Sequence, residues 1–256
     1  MGDAKKIIVK PISAKDGNRV IRSLHYSGKV DTRSQLHLGV FMDGRCGGAM
    51  QFGPSVNKHA SRNLFKDAGW NEWIELHRLA FADWLPRNGE SRAIAYAMRF
   101  IKKNYPHISF VVSYADGAQC GDGTIYRASG FVLTDIKKNT SMWMCQNGEV
   151  ICDHVTRMKS NAVRNRIGML PNEKWSTFYK RGGAYRLEGF QLRYIYFINP
   201  TAKDRLTVPI LPFSEIERRG AGMYKGKKRV SSIDGDVSGD QLEEGGSSPT
   251  DTLQSG

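Results

Sequence analysis

Two buried-type strands that flank one amphipathic helix are the feature that most restricts how this sequence can fold. Residues 73–83 and 108–115 are almost continuously apolar, which is typical of strands covered on both faces. Between them, Pro86-Arg87-Asn88-Gly89 breaks the chain, and the helix that follows has an apolar face made of Ile94, Ala97, Met98 and Ile101. A strand, a crossover helix and a second buried strand predict an α/β protein whose helices cover a mixed central sheet.

The neighbouring segments extend this pattern. We predict a strand at residues 6–10 and a helix that begins after Ser13, with Asp16 as its capping-box partner, and ends near Gly28. The other predicted elements are a hairpin of residues 36–42 and 47–52 across Asp43-Gly44, a loop at 53–69, a short helix at 124–129 and a strand at 131–134. The resulting order is β-α-β-β-β-α-β-α-β.

The remainder of the chain is predicted to form an extension and a tail. From about residue 137 we expect a hairpin across Asn147-Gly148, a polar helical region at 160–180 and a strand at 193–198. Gly, Ser and Asp dominate from Gly220 onward, which predicts a disordered acidic tail at residues 231–256. Residues 1–230 are therefore expected to form one domain with a C-terminal β/α extension.

Charge is distributed unevenly along the chain. The net charge is +13, but residues 232–256 hold six acidic and no basic residues, which leaves +19 on the preceding 231 residues. A body this basic attracts polyanions, so contact with nucleic acid is expected. The acidic tail either mimics DNA and screens this body or is an inert solubilising end, and we favour the second interpretation.

The sequence disfavours both membrane insertion and secretion. No apolar run approaches the ~18 residues of a transmembrane helix, and residues 1–10 lack a signal segment. The four cysteines form no C-x-x-C pair, which favours a reduced, cytoplasmic protein. Cys145, Cys152 and His154 match no zinc spacing, and the two cysteines flank the Asn147-Gly148 turn, so we expect them on paired strands.

The order of elements resembles the GNAT acyltransferase fold. In that fold a central strand splays from its neighbour, and the following loop opens a helix whose free N–H groups hold the pyrophosphate of acyl-CoA. Here the loop at residues 85–92 has the right place, but it has one glycine where the family pattern is Q/R-x-x-G-x-G/A. Glu90 would also repel an anion, so acetyl-CoA is disfavoured as the cofactor.

Motifs along most of the chain resemble one group within that fold. In chain order they are His25-Tyr26-Ser27, Glu75-Leu76-His77-Arg78-Leu79, Pro86-Arg87-Asn88-Gly89-Glu90-Ser91, Val112-Ser113-Tyr114-Ala115-Asp116, Gly123-Thr124-Ile125-Tyr126, Arg193-Tyr194-Ile195-Tyr196 and Pro209-Ile210-Leu211-Pro212. Their joint order and spacing is similar to the Mom family of bacteriophage DNA-modification proteins. The resemblance implies conversion of adenine to N6-carbamoylmethyladenine in double-stranded phage DNA, in the host cytoplasm, with protection from restriction. One departure is Asp122, where the family pattern has a histidine.

Position and resemblance together indicate the candidate site. Four residues are candidates for catalysis: His25, Tyr26, Asp116 and Tyr126. Asp116 ends a buried strand, where α/β folds place ligands. Candidates for binding the substrate or the donor are Ser27, Glu75, Arg78, Arg87, Asn88, Ser91, Ser113 and Tyr114.

Each candidate also has a structural interpretation. Asp116 can cap a turn, His25 can be a helix-end cation, Tyr126 can be a core aromatic and Asn88 an N-cap. Glu75 and Arg78 are expected on opposite faces of their strand, where either can belong to a structural ion pair.

Adenine chemistry explains why such groups are needed. The N6 lone pair is delocalised into the ring, so a general base that removes an N6 proton assists attack by about 10²–10⁴-fold. The base must leave the duplex and be held by aromatic rings, for which Tyr26, Tyr114 and Tyr126 are candidates. Candidate phosphate contacts are Arg62, Lys66, Arg157, Lys159, Arg164, Arg166, Lys180 and Arg181.

The donor and the oligomeric state are not given by the sequence. An activated glycine or another acyl donor is expected, and a metal-assisted route through His25, Tyr26 and Asp116 stays open, although no metal site is predicted from residue spacing. Two alternatives are a CoA-dependent N-acetyltransferase acting on tRNA or protein and a non-enzymatic basic DNA-binding module.

Overall fold

The computed structural model of this protein describes residues 3–152, 161–224 and 226–228. The strands are β1 (Ile8–Pro11), β2 (Leu36–Met42), β3 (Arg45–Gly53), β4 (Trp73–Phe81), β5 (Phe110–Asp116), β6 (Val132–Lys138), β7 (Met142–Cys145), β8 (Val150–Cys152), β9 (Ala184–Arg186), β10 (Phe190–Phe197), β11 (Met223–Tyr224) and β12 (Lys227–Lys228). The α-helices are α1 (Ala14–Leu24), α2 (Lys58–Arg62), α3 (Gly89–Asn104), α4 (Thr124–Ala128), α5 (Asn161–Arg166), α6 (Trp175–Lys180) and α7 (Ser214–Arg218), and 3-10 helices span Asp3–Lys6 and Pro200–Arg205.

A seven-stranded mixed sheet, ordered β1-β2-β3-β4-β5-β10-β6, forms the centre of the protein. Neighbouring strands in this sheet are antiparallel, except β4 and β5, which are parallel. The β4–β5 pairing runs only from Trp73 opposite Phe110 to Leu76 opposite Ser113. Beyond that point β4 and β5 are no longer paired with each other, although each stays paired with its other neighbour. A wedge-shaped opening therefore lies between the ends of the two strands. The predicted mixed α/β fold with a splayed central strand is confirmed.

A β-bulge in β4 decides which side chains reach this opening. Gln51 of β3 lies opposite Arg78 whereas the next residue, Phe52, lies opposite Leu76, so His77 is the extra residue. As a result Leu76 and Leu79 pack in the same core. The expectation that Glu75 and Arg78 point to opposite faces is therefore wrong, because the bulge places both on the other face of the strand.

Helices cover both faces of the sheet. The largest core lies under α3 and includes Ile94, Met98 and Ile101, as the apolar spacing predicts. On the opposite face Ile21 of α1 packs against Ala49 and Ala80. Helix α1 begins as predicted, since the Ser13 hydroxyl accepts a hydrogen bond from the Asp16 N–H at 3.1 Å. The end of α1 is thereby carried toward the opening between β4 and β5.

The chain between β6 and β10 forms a small layer of its own. Strands β8-β7-β9 pair in that order, and Trp143, Phe178 and Ile167 belong to a separate core under α5 and α6. The predicted Asn147-Gly148 turn is present, with Gly148 at φ +79°. Cys145 and Cys152 form no disulfide within the described residues and lie on the paired strands β7 and β8, as expected, while His154 lies outside the described residues. The chain then returns as β10 between β5 and β6.

Several boundaries differ from the predictions. The predicted loop at 53–69 contains the short helix α2, and the polar helical region at 160–180 consists of α5 and α6 separated by a turn. The predicted acidic tail lies outside the described residues. No helix in the described part of the chain is long and apolar enough to cross a membrane.

Candidate functional site

Asp116 lies at the end of β5, at the mouth of the opening. Its carboxylate accepts hydrogen bonds from the Tyr26 hydroxyl at 3.2 Å, the Ala118 N–H at 3.0 Å and the Gln191 side-chain amide at 2.8 Å. The Gln119 amide also donates to it. Four donors fix the orientation of this carboxylate.

The segment after α1 carries two aromatic side chains to this carboxylate. The His25 and Tyr26 rings lie 4.3 Å apart between centroids. Burial and the Asp116 charge raise the pKa of the Tyr26 phenol above its usual range, so the hydroxyl stays protonated and donates. Tyr26 is nevertheless 50% exposed, so its ring offers a surface on which a planar group can stack.

The hydrogen bonds of His25 define its tautomer. The Ser27 N–H donates to Nδ1 at 3.2 Å, and the Ser27 hydroxyl lies 2.8 Å from the same atom. Nδ1 therefore acts as an acceptor in the neutral ring, and the proton lies on Nε2. Burial, and then the charge of Arg78, lower the pKa of His25 to about 4. At neutral pH His25 is thus an uncharged hydrogen-bond donor through Nε2.

This depressed pKa predicts a pH-dependent stability. The unfolded chain protonates His25 near its usual pKa of about 6.5, whereas the folded protein does so only near 4. The stability from neutral His25 is present above about pH 6.5 and is lost as the pH falls toward 4. In His25→Gln, the free energy of unfolding in urea should fall less between about pH 7 and about pH 4.5 than in the unsubstituted protein.

The same pH series contains its own check. His37 and His77 also have pKa values lowered by burial, but both remain in the variant, so the difference between the two proteins isolates His25. Parallel curves for the two proteins would contradict the assigned pKa.

Arg78 connects strand β4 to the segment that follows α1. Its Nε donates to the Lys29 carbonyl at 2.9 Å and its Nη1 to the His77 carbonyl at 2.7 Å. The guanidinium is thereby held between the bulge in β4 and the segment after α1. Its charge acts on the pKa values of His25, Tyr26 and Tyr126, which places it near all three.

Tyr126 approaches the opening from the α3 side of the sheet. It is 7% exposed and packs against the Tyr194 and Phe131 rings. Burial raises the pKa of its phenol, while the neighbouring Ser113 hydroxyl and Arg78 lower it. The structure thus places Tyr126 and Ser113 behind the opening, whereas His25, Tyr26 and Asp116 lie at its surface.

Glu75 and Tyr114 form a neighbouring polar region on the α1 face. Glu75 is buried, and burial raises the pKa of its carboxyl group, although the Ser55 hydroxyl and the Val56 N–H lower it. Burial, and then the Glu75 charge, raise the pKa of the Tyr114 phenol. Tyr114 is 43% exposed, so its ring is open to a ligand.

The loop between β4 and α3 stands apart from this cluster. Arg87 and Asn88 are exposed, and Ser91 donates only to the Asn88 carbonyl, at 3.2 Å. Asn88 occupies the N-cap position of α3 in a left-handed conformation, φ +65°, and its side chain makes no capping hydrogen bond. Among the described residues none of these three side chains bonds to His25, Tyr26 or Asp116, so the structure does not bring the predicted donor loop into contact with the other candidates.

Three site residues were missed by the sequence analysis. Gln119 and Gln191 orient Asp116. Burial, and then the nearby Asp116 charge, raise the pKa of the Cys120 thiol. Gln191 lies directly opposite Asp116 in the β5–β10 pairing. Only the strand register reveals that contact, since the two residues are far apart in sequence.

Asp122, the residue before the Gly123-Thr124-Ile125-Tyr126 motif, has a structural role. It is 1% exposed, and its carboxylate binds Arg127 and the Thr124 hydroxyl, both at 3.0 Å. Its backbone carbonyl accepts from the Tyr194 hydroxyl. Asp122 therefore anchors the start of α4, which carries Tyr126. In the part of the chain that the structure describes, no three His, Cys, Asp or Glu side chains are grouped as metal ligands.

Most of the predicted phosphate-binding cations have internal partners. Arg166 pairs with Glu149 at 2.8 Å and Arg181 with Glu173 at 2.6 Å. Arg164 donates to the Leu170 and Glu173 carbonyls, and Arg62 donates to the Ala68 carbonyl. These four arginines are therefore held by internal acceptors, and their role as phosphate contacts stays a prediction. Lys66 and Lys180 form no ion pair within the described residues, and Arg157 and Lys159 lie outside them.

Comparison with solved structures returns acetyltransferases of the GNAT family. One, from Elizabethkingia anophelis with acetyl-CoA bound, is 12% identical with a TM-score of 0.42, covering 75% of this chain and 98% of that one. A spermidine/spermine N-acetyltransferase from Vibrio cholerae is 9% identical with a TM-score of 0.43, covering 79% and 99%. Since these scores are below 0.5, the GNAT-like assignment rests on the strand order and the opening between β4 and β5.

Comparison of sequences gives a closer likeness. The methylcarbamoylase Mom of Escherichia phage Mu is 30% identical over 208 residues, which cover 81% of this chain and 82% of that protein. The model of the Mom protein family matches residues 6–215, a span that contains β1 to β10, the opening and every candidate site residue. This chain therefore belongs to the Mom protein family.

Proposed function

We propose that this protein is a transferase that converts adenine in phage DNA to N6-carbamoylmethyladenine and so protects the DNA from restriction. The observation that carries the proposal is the grouping of His25, Tyr26, Arg78 and Asp116 at one opening in a member of the Mom family. The substrate is double-stranded DNA, and the reaction takes place in the host cytoplasm, where that DNA lies.

The opening suits a base that has left the duplex. Adenine in a duplex is paired and stacked, and extruding it costs a few kcal/mol. The exposed rings of Tyr26 and Tyr114 offer faces on which a purine stacks, and Tyr114 lies on β5, the strand at one side of the opening. Polar groups at the surface of the opening then meet the edge of the base.

The polar groups divide into one acceptor and two donors. Asp116 accepts the N6 proton, directly or through the Tyr26 hydroxyl that already donates to it. The Nε2–H of His25 and the Arg78 guanidinium donate hydrogen bonds to the carbonyl oxygen of the acyl donor while that oxygen gains negative charge. His25 suits this role because it is neutral and holds its proton on Nε2 at physiological pH.

We further propose that the donor is an activated glycine. Acylation of N6 forms an N6–C bond, releases the activating group and passes the N6 proton to Asp116, the general base. The free amine of the glycyl group then attacks C6, the original C6–N6 bond breaks, and the former N6 becomes the terminal amide. The product carries a CH2-CO-NH2 group on the nitrogen that is attached to C6. No atom is gained or lost in this second step.

The proposed function is tested by expressing the protein in bacteria and analysing the nucleosides of total DNA by mass spectrometry. Expression in a glycine auxotroph grown on amino-labelled ¹⁵N-glycine tests the donor in the same experiment. We expect modified adenine that carries the label on the exocyclic nitrogen bonded to C6. Unmodified DNA contradicts the function. Modified DNA with label in the terminal amide, or without label, contradicts only the proposed donor route.

A further inference from the structure

A basic cavity lies next to the candidate site and has no part in the proposed chemistry. It has a volume of about 830 Å³ and lies between the end of β6, the β9–β10 connection and the segment that ends in β12. Its walls carry four basic side chains and one acidic one: Lys138, Arg186, Arg219, Lys228 and Glu188. We call this space the basic cavity.

Three of these cations are not neutralised by the described part of the protein. Lys138, Arg186 and Lys228 are exposed, and none of them forms an ion pair within the described residues. Arg186 stacks 4.9 Å above the Trp143 ring, which orients it but leaves its charge in place. Arg219 is bound to Glu215 at 2.9 Å. The cavity therefore presents a net positive surface to a ligand.

The lining of the basic cavity also includes the backbone of several glycines. Five of the lining residues are glycines, and the N–H groups of Gly117, Gly189 and Gly222 donate no hydrogen bond within residues 3–152, 161–224 and 226–228. Gly189 has φ +130°, and a Cβ there would lie 2.4 Å from the Gly117 carbonyl oxygen, so only glycine fits. Unpaired N–H groups beside cations are a common setting for phosphate oxygens.

The basic cavity and the candidate site share one loop. Gly117 follows Asp116 directly and lines the cavity. The Gly226 N–H donates to the Cys120 carbonyl at 2.7 Å, and the Asp122 N–H donates to the Met223 carbonyl at 2.9 Å. The segment that closes the cavity is thus bonded to the loop between Asp116 and α4, so a ligand in the cavity lies beside the opening.

We propose that the basic cavity binds the phosphodiester backbone of the DNA strand next to the extruded adenine. This inference rests on the proposed function for the identity of its ligand. The cations come from four separate elements around the cavity, an arrangement that suits a strand with a phosphate about every 3.4 Å along the axis. A phosphate carried by a small donor has the same chemistry and is the source that the experiment must separate from DNA.

The test compares two double variants of the full chain. Lys138→Gln with Lys228→Gln removes two cavity charges. Lys102→Gln with Lys103→Gln removes two exposed charges from the end of α3 that form no ion pair within the described residues. Binding to a fluorescent duplex is measured by anisotropy over a series of NaCl concentrations, without donor. For the cavity variant we expect about tenfold weaker binding near physiological salt and a slope of log K against log salt that is smaller by about 2. The α3 variant should bind as the unsubstituted protein does.

The outcomes separate the cavity from the function. A cavity variant that binds DNA with unchanged affinity and slope overturns the inference, even if the protein modifies adenine. If that variant binds DNA normally but has a raised donor KM, the cavity takes a donor phosphate, which also overturns the DNA assignment. If expressed protein leaves DNA unmodified but the cavity charges still set the salt slope, the proposed function fails and the DNA site stands. Arg186→Gln, analysed separately, should reduce the slope by about 1.

Discussion

The substitution Asp116→Asn is expected to lower the N6-carbamoylmethyladenine content of DNA by about 10²-fold or more. Asparagine keeps the size of the side chain, but it lacks the charge and replaces one acceptor oxygen with a donor. Both carboxylate oxygens of Asp116 receive hydrogen bonds, so the new NH2 group must face the Gln191 and Ala118 donors or the Tyr26 and Gln119 donors. The measurement is nucleoside mass spectrometry of DNA from cells that express each protein.

The matched control for this prediction is Asp204→Asn. Asp204 is exposed in the 3-10 helix after β10, and its carboxylate forms no ion pair within the described residues. DNA from cells with this variant should contain as much modified adenine as DNA from cells with the unsubstituted protein. If Asp116→Asn folds, as shown by a cooperative urea transition, and retains full activity, Asp116 does not accept the N6 proton.

The substitution Arg78→Met is expected to reduce activity by about 10²-fold, because it removes a positive charge that acts on His25, Tyr26 and Tyr126. It also removes the hydrogen bonds that tie the bulge in β4 to the segment carrying His25 and Tyr26. A second measurement distinguishes charge from anchoring. The Arg78 charge lowers the pKa of His25, so the His25 pKa measured by NMR titration of the ring signals should rise in the variant.

Arg22→Met is the control for Arg78→Met. Arg22 is exposed in the last turn of α1, a few residues from His25, and forms no ion pair within the described residues. Its loss should leave both activity and the His25 pKa unchanged. An unaltered His25 pKa in Arg78→Met would show that the guanidinium does not lie at the opening.

The central strands could be predicted from sequence because their signals are local. The apolar runs of β4 and β5 and the spacing of Ile94, Ala97, Met98 and Ile101 follow directly from burial on both sides of the sheet. Ser13, Asn147 and Gly148 mark a helix start and a turn through their own side chains or backbone freedom. Each of these features depends on residues that are neighbours in the chain.

The parts that failed depend on contacts between distant segments. The bulge at His77 follows from pairing with β3, and it changes the face on which Arg78 lies. Gln191 meets Asp116 only because β10 returns between β5 and β6.

The candidate catalytic residues were named from strand and helix ends together with motif resemblance, and the structure gives them different environments. Tyr26 contacts both His25 and Asp116 at the surface of the opening, whereas Tyr126 is buried behind it. Sequence position could not distinguish these two environments, because the exposure of Tyr126 depends on how α4 packs against Tyr194.

Photo-crosslinking tests most directly whether the opening between β4 and β5 receives the adenine. Duplex DNA substituted with 8-azidoadenine is irradiated with the full-length protein, and the labelled peptides are identified by mass spectrometry. We expect base-linked adducts in the segment that contains His25 and Tyr26 and in the segment from Tyr114 to Tyr126. Adducts confined to other surfaces, such as the exposed Trp70 or the helices α5 and α6, would contradict the account.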